Sequence, residues 1–399
     1  MKIKRPIFKE LLRQIAEPKI SILVGPRQVG KTFLLRELER EARKRNLKTR
    51  YFDLEQPADM LSFGSTEKDH FDAIVSGNDI VFVDEMHLLK NISHIFKAVY
   101  DSGRSVKIFA TGSSALGLHK HLKESMAGRI IMNRIFPLTA AELRQKSDFD
   151  DEDILVTGGM PGLTNCGNLG EKILELQGMV STYIQKDIKS LIKEENIRAF
   201  NHLMYLLADK QGSVVATSGL AGEIGLSKPS VENYLEILSQ TYVCYQICSY
   251  AKNLGNELRK SKKYYLFDLG IRNCLIRDFG GVAKRRDSGC LKESFVCLNI
   301  VSRLKPNMEL RFWRTKQGDE VDFIILKNRI PFPVEAKSEM KKPEIPKGVR
   351  KFLENYPDSP EAIVFNDSLT DEVIYSGRPV KFLKWTSACE SMDYLRSAE

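Results

Sequence analysis

A chain of 399 residues exceeds what one hydrophobic core usually serves, so two to four modules are expected. With 42% hydrophobic and 28% charged residues, no apolar run of membrane-span length, and a start (Met1–Lys2–Ile3–Lys4–Arg5–Pro6) without a signal-peptide core, the composition argues against a membrane protein and points to the cytoplasm. Seven scattered cysteines without a C-x-x-C pair argue against a disulfide framework or a zinc knuckle, and a formal charge of +9 permits a polyanionic partner without identifying one.

In chain order, residues 7–16 carry helical spacing (Ile7, Phe8, Leu11, Leu12, Ile15) and lead through Pro18 into the apolar run Ile20–Ser21–Ile22–Leu23–Val24. Next comes Gly25–Pro26–Arg27–Gln28–Val29–Gly30–Lys31–Thr32, which fits G-x-x-x-x-G-K-T, and then an amphipathic helix opening with Phe33, Leu34, Leu35 and Leu38. Strand, glycine loop and helix together make a phosphate cradle. The glycines let backbone N–H groups turn toward an anion at a helix N-terminus, Lys31 adds a point charge and Thr32 offers a hydroxyl to Mg²⁺.

A second strand is expected at Thr49–Leu54, a helix from Thr66 to Val75, and a continuous apolar strand at Asp79–Val83 that ends in Asp84 and Glu85. Alternating strands and helices with fully apolar strands predict a parallel sheet that binds its ligand at the carboxyl ends of the strands. There Asp84 can support Mg²⁺ together with Thr32, and Glu85 can polarise the water that attacks a γ-phosphate. The strand Val106–Thr111 runs into Gly112–Ser113–Ser114, where Ser113 is either a γ-phosphate sensor or part of a plain Gly–Ser turn. Arg129, opening the strand Ile130–Phe136, is either a charge-stabilising finger, in cis or across a subunit contact, or a solvated strand-start residue. No N-K-x-D occurs, so nothing reads guanine and ATP is the expected nucleotide.

The words G-P-R-Q-V-G-K-T, V-D-E-M-H, A-T-G-S-S and A-G-R-I, over residues 25–130, resemble the prokaryotic AAA-type P-loop ATPases that carry a C-terminal domain of unknown function. Gly158–Gly159–Met160–Pro161–Gly162, the stretch 183–188 (Y-I-Q-K-D-I) and Tyr264–Tyr265–Leu266–Phe267–Asp268–Leu269–Gly270 extend that resemblance over most of the chain. It implies a five-stranded AAA-like core with an additional strand between the two Walker strands.

The acidic run at 148–153 marks the first expected boundary, and residues 171–210 read as two helices suited to a lid over the nucleotide. From Val214 a short helix, a turn at Gly225 and a second helix from Lys228 to Leu238, followed by β-prone Tyr242–Ile247, describe a winged helix-turn-helix. Glu232 and Glu236 on that second helix favour a packing or dimerisation module over one that reads bases. Residues 252–286 hold ten Lys/Arg against three acids, with Tyr250 just before them and Tyr264, Tyr265 and Phe279 interleaved, so backbone contact with DNA or RNA is expected there, unless the run is simply a solvated face.

Toward the C-terminus, a helix around Leu291–Leu298 carries Glu293, and a hairpin with a turn at Lys316–Asp319 leads to the strands Glu320–Ile325 and Phe332–Lys337. These strands put Asp322 and Glu335 side by side, with Lys337 on the face of Glu335 by the two-residue period. The grouping resembles the PD-(D/E)xK nuclease fold, with Val321 where the motif has proline. That resemblance implies Asp322 and Glu335 as metal ligands, Lys337 as the water-positioning group and Glu293 as the helix acid.

The expected fold is therefore a multi-domain α/β chain: an AAA-like P-loop domain (1–150), a helical lid-like segment (151–211), a winged-helix domain with the basic stretch (212–285) and a nuclease-like α/β domain (286–399). The expected function is a Mg²⁺-dependent ATPase coupled to a nucleic-acid-binding C-terminal region. An ATP-regulated metal-dependent DNase and a non-hydrolysing nucleotide switch acting on a protein partner stand as alternatives, and a homo-oligomer is compatible with any of them.

Overall fold

Apolar five-residue strands that cannot show alternation must be covered on both faces, and those of the N-terminal half are. The structure is a computed structural model; it describes residues 3–89, 91–112, 126–183, 196–251 and 262–391. The chain divides into two units, residues 1–137 with 236–243 and residues 138–235 with 244–399.

The first unit is built on strands β1 (Ile20–Val24), β2 (Thr49–Asp53), β3 (Ile80–Asp84), β4 (Lys107–Gly112) and β5 (Ile130–Arg134). They are all parallel, in the order β2-β3-β4-β1-β5. Parallel strands need crossovers, which the helices Lys31–Lys44, Pro57–Phe63, Glu67–Val75 and Ile92–Asp101 provide. β4 lies between β1 and β3, the inserted strand that the resemblance implies. Val81, Val83, Ile22, Phe96 and Phe63 are fully buried in the core on one side of this sheet. The predicted helix from Thr66 begins with a capping box in which the Thr66 hydroxyl accepts from Asp69 N–H and the Asp69 carboxylate accepts from Thr66 N–H.

The second unit carries a nine-stranded sheet of β6 (Val214–Val215), β7 (Cys244–Ser249), β8 (Lys262–Leu266), β9 (Met308–Arg314), β10 (Glu320–Lys327), β11 (Ile330–Ala336), β12 (Ala362–Asn366), β13 (Asp371–Tyr375) and β14 (Arg378–Lys384). Its order is β13-β14-β12-β11-β10-β9-β7-β8-β6. Helices Thr217–Ile224 and Lys228–Gln240 are joined through a left-handed Gly225, and the antiparallel β7 and β8 follow. β7 also pairs in parallel with β9, so the sheet runs without a break across residue 285, where the sequence suggests a domain limit.

The β10–β11 hairpin closes on Asn328 and Arg329, both at positive φ, the two-residue turn whose twist matches the strands. A register shift between Val321 and Ile324 bulges β10 at Asp322. Helix Lys347–Asn355 packs so closely that a Cβ at Gly348 would meet the carbonyl oxygen of Glu320 at 1.8 Å. No helix among the described residues is long and apolar enough to cross a membrane.

Candidate functional site

At the carboxyl end of β1 the chain makes three unusual backbone choices in six residues: Gly25 at φ 150°, Gln28 at 60° and Gly30 at 91°. Gly25 has no side chain to spare, because a Cβ there would lie 2.2 Å from the carbonyl oxygen of Ile135 beyond β5. Gly30, left-handed, is the N-cap of the helix that starts at Lys31. Pro26, Arg27, Gln28 and Val29 complete a loop wrapped around a helix N-terminus, where unpaired N–H groups favour an anion. Lys31 is buried, and its ammonium donates to the carbonyl oxygens of Gly25 (2.9 Å) and Pro26 (2.7 Å), folded over the cradle.

The end of β3 meets this loop. Thr32 Oγ1 donates to Asp84 Oδ1 at 3.3 Å, which brings together the two residues expected to share a magnesium ion. Asp84 is 2% exposed, and a buried carboxylate needs donors. It finds two more that the sequence reading missed: Thr111 Oγ1 at the end of β4, also on Oδ1, and the Tyr51 hydroxyl from β2, 2.8 Å from Oδ2. Burial, and then the Asp84 charge, raise the Tyr51 pKa and keep it a donor. The hydroxyl of Thr32 and the carboxylate of Asp84, adjacent and hard-oxygen in character, fit a divalent cation.

Glu85 follows with φ 54°, a left-handed conformation rare for a side chain of its size, held by its N–H donating to Thr111 Oγ1 at 2.9 Å. Its carboxylate pairs with His87 Nδ1 at 3.1 Å. Burial pushes the Glu85 pKa up, but His87 together with Lys31 and Arg27 outweighs it and holds the acid below its usual range, so it stands ready as a base. His87 belongs to the V-D-E-M-H word, which carried no separate role for it in sequence.

Two other residues are expected at this crevice. Ser113 lies outside the described residues. Arg129 stands before β5, whose register with β1 runs from Ile20 opposite Ile130 to Val24 opposite Arg134. A five-residue strand of roughly 16 Å therefore separates Arg129 from the cradle. Arg129 makes a two-pronged ion pair with Asp101 (2.7 and 3.1 Å).

In the second unit the C-terminal residues do converge. β10 and β11 set Asp322 beside Glu335: Asp322 N–H donates to Glu335 Oε2 (3.1 Å) and Ala336 N–H donates to Asp322 Oδ2 (2.9 Å). Lys337 Nζ pairs with Glu335 Oε1 at 2.6 Å. Glu293, on helix Ser288–Val301, accepts from the Tyr265 hydroxyl at 2.6 Å. Burial and then the Asp322 charge raise Glu335 to about 8 and Glu293 to about 7. The two residues expected as metal ligands, Asp322 and Glu335, thus stand side by side on neighbouring strands. Glu293, Glu320 and Asp322 gather around the ammonium of Lys263, and among the described residues no three His, Cys, Asp or Glu side chains are grouped as a metal site.

Lys263 also belongs to the basic stretch, whose described residues divide between buried and exposed. Lys252, Arg259 and Lys260 lie outside the described residues. Lys263, Arg272 and Arg285 are buried, the last two on Asp287, and Tyr264 and Tyr265 are core residues rather than stacking platforms. Arg277, Lys284 and Arg286 remain exposed.

Three family models match in succession: an AAA domain over residues 17–144, a domain of unknown function (DUF8612) over 149–280 and a domain of unknown function (DUF4143) over 288–385. An uncharacterised protein of Mycobacterium tuberculosis is 24% identical over 365 residues, covering 91% of this chain and 80% of that protein. One of Methanocaldococcus jannaschii is 22% identical over 340 residues, covering 80% of this chain and 75% of that protein. Among solved structures, the Aeropyrum pernix ORC1 protein in complex with DNA has a TM-score of 0.30 and 13% identity, covering 71% of this chain and 94% of that one. The replication initiator DnaA bound to AMPPCP and single-stranded DNA has a TM-score of 0.31 and 16% identity, covering 59% and 86%. Structural likeness at that level carries no functional weight. With the phosphate cradle inside the matched AAA domain and a matched domain of unknown function at its C-terminal end, the chain resembles the prokaryotic AAA-type P-loop ATPases that carry such a domain.

Proposed function

We propose that this protein is a Mg²⁺-dependent ATPase whose P-loop unit acts on the C-terminal region, with nucleic acid as the partner of that region. The observation that carries the reading is the meeting of Thr32 with Asp84 at 3.3 Å, next to a Glu85 kept ionised. The loop N–H groups and Lys31 bind the phosphates, while Thr32 and Asp84 would hold the cation, which would supply charge neutralisation to the phosphates. Glu85 accepts a proton from water as its oxygen bonds to the γ-phosphorus, and the bond to the ADP oxygen breaks.

A nucleic-acid partner is supported by the net charge of +9, the exposed Arg277, Lys284 and Arg286, and a helix–turn–helix followed by a hairpin, which we read as a winged helix. We read the succession of helix 288–301, β9–β11, helix 347–355 and β12 as a nuclease-like fold that has kept the architecture rather than the metal chemistry.

A second reading is a nucleotide switch without turnover, in which the Glu85–His87 pair at 3.1 Å stays closed when nucleotide binds and keeps the carboxylate from water. Phosphate release by the purified chain with Mg²⁺ and ATP, with and without DNA, tests both. Glu85→Gln should retain ATP and abolish release if the protein is an ATPase. No release from the wild type under any of these conditions leaves only the switch.

A further inference from the structure

Lys263 is on β8 with 2% of its surface exposed, yet its ammonium has three carboxylates in reach: Glu320 Oε1 at 2.7 Å, Glu293 Oε1 at 3.4 Å and Asp322 Oδ1 at 3.8 Å. Tyr265, two residues along the same strand and hence on the same face, donates to Glu293. On the far side of the cluster both oxygens of Glu335 are taken, one by Lys337 and one by Asp322 N–H, and the second oxygen of Asp322 is taken by Ala336 N–H. A magnesium ion asks for oxygens at about 2.0–2.1 Å in octahedral array and would have to displace several of these partners. It would also have to stand against an ammonium that already lies 3.8 Å from Asp322 Oδ1 and 3.4 Å from Glu293 Oε1, and like charges in a buried site repel strongly.

We infer that the ammonium of Lys263 is the resident cation of this cluster, so that the residues whose spacing matches a metal nuclease take no divalent ion and serve instead as a charged joint tying β8 to helix 288–301 and to the β10–β11 hairpin. Lys263 here does by charge what a metal does elsewhere: it lets several carboxylates share one buried space. Glu293, Asp322, Glu335 and Lys337 are then positioning residues, and the identity of the joint is set by a lysine that sits some sixty residues before the D-x(12)-E-x-K spacing.

The test is Mn²⁺ binding to the full chain, followed by electron paramagnetic resonance without nucleotide, in an Asp84→Asn background that removes the cation ligand of the first unit. With Lys263 present, Glu335→Gln should leave Mn²⁺ binding unchanged. Lys263→Ala should gain roughly one Mn²⁺ per chain, lost again when Glu335→Gln is added. Mn²⁺ binding that depends on Glu335 while Lys263 is in place would overturn the inference, as would a folded Lys263→Ala chain that gains none. If Lys263→Ala does not fold by circular dichroism, the comparison of Glu335→Gln with Lys263 intact decides alone.

Discussion

Asp84 is almost shut off from water, and the three hydroxyls of Thr32, Thr111 and Tyr51 satisfy its buried oxygens. Tyr51 is the most telling of them, because its ring is clamped by the Arg36 guanidinium 3.3 Å from the centroid and its hydroxyl therefore has little freedom to leave Asp84. Tyr51→Phe keeps the packing and removes one donor, so it should cost about 1.5–3 kcal/mol of stability, the range for a hydrogen bond to a charged group. It should also raise the Mg²⁺ concentration needed for half-maximal nucleotide binding. Thermal unfolding and a Mg²⁺ titration of fluorescent ATP binding check the two effects, and an unchanged titration would separate Tyr51 from the cation site. None of this is visible in sequence: a tyrosine and a threonine in strands read as β-formers, and only the parallel register of β2, β3 and β4 shows that both end beside Asp84.

Two glycines show how elements are held at close quarters in each unit. Gly25 lets β1 turn under the Ile135 carbonyl, and Gly348 lets its helix approach the Glu320 carbonyl on β10. Gly25→Ala needs backbone movement in the cradle itself and should abolish ATP binding as well as lower stability. Gly348→Ala should cost about 1–3 kcal/mol, the usual penalty of overpacking, and leave nucleotide affinity within about twofold of wild type. Isothermal calorimetry with ATP beside urea unfolding distinguishes them, and equal loss of binding in both variants would contradict the assignment of the cradle to the first unit alone. The Gly25 position was legible because a glycine loop between an apolar strand and an amphipathic helix has few other uses. The Gly348 contact was not, since a glycine at the start of a helix gives no hint of what crosses it. Likewise the pairing of Asp322 with Glu335 followed from strand period, whereas the bulge at Asp322 and the arrival of Lys263 from another strand depend on partners distant in the chain.

At the scale of the whole chain, the sequence suggested a basic surface at 252–286 and a limit near 285, while the fold buries Lys263, Arg272 and Arg285 and runs one sheet past that limit through the β7–β9 pair. Charge counts cannot tell a solvated lysine from one matched to acids that arrive later, and the same burial gives the two units opposite responses to pH. In the second unit burial raises Asp268 to about 6, Glu293 to about 7 and Glu335 to about 8. Each then holds its proton longer folded than unfolded, so its contribution is complete below the unfolded pKa and is lost as pH climbs through the folded one. Stability of that unit should fall between about pH 4.5 and 8. In the first unit burial lowers Lys107, which donates to Ser21 Oγ at 2.9 Å, to about 8. There the unfolded chain binds more protons, so stability should rise from about pH 8 toward 9.5, before tyrosines begin to titrate. Urea unfolding followed by hydrogen exchange resolved to peptides of each unit reads the two slopes separately. Glu335→Gln should flatten part of the falling slope and Lys107→Met the rising one. Parallel slopes in both units, or slopes indifferent to these substitutions, would mean that the buried charges are relieved by water rather than by the partners described above.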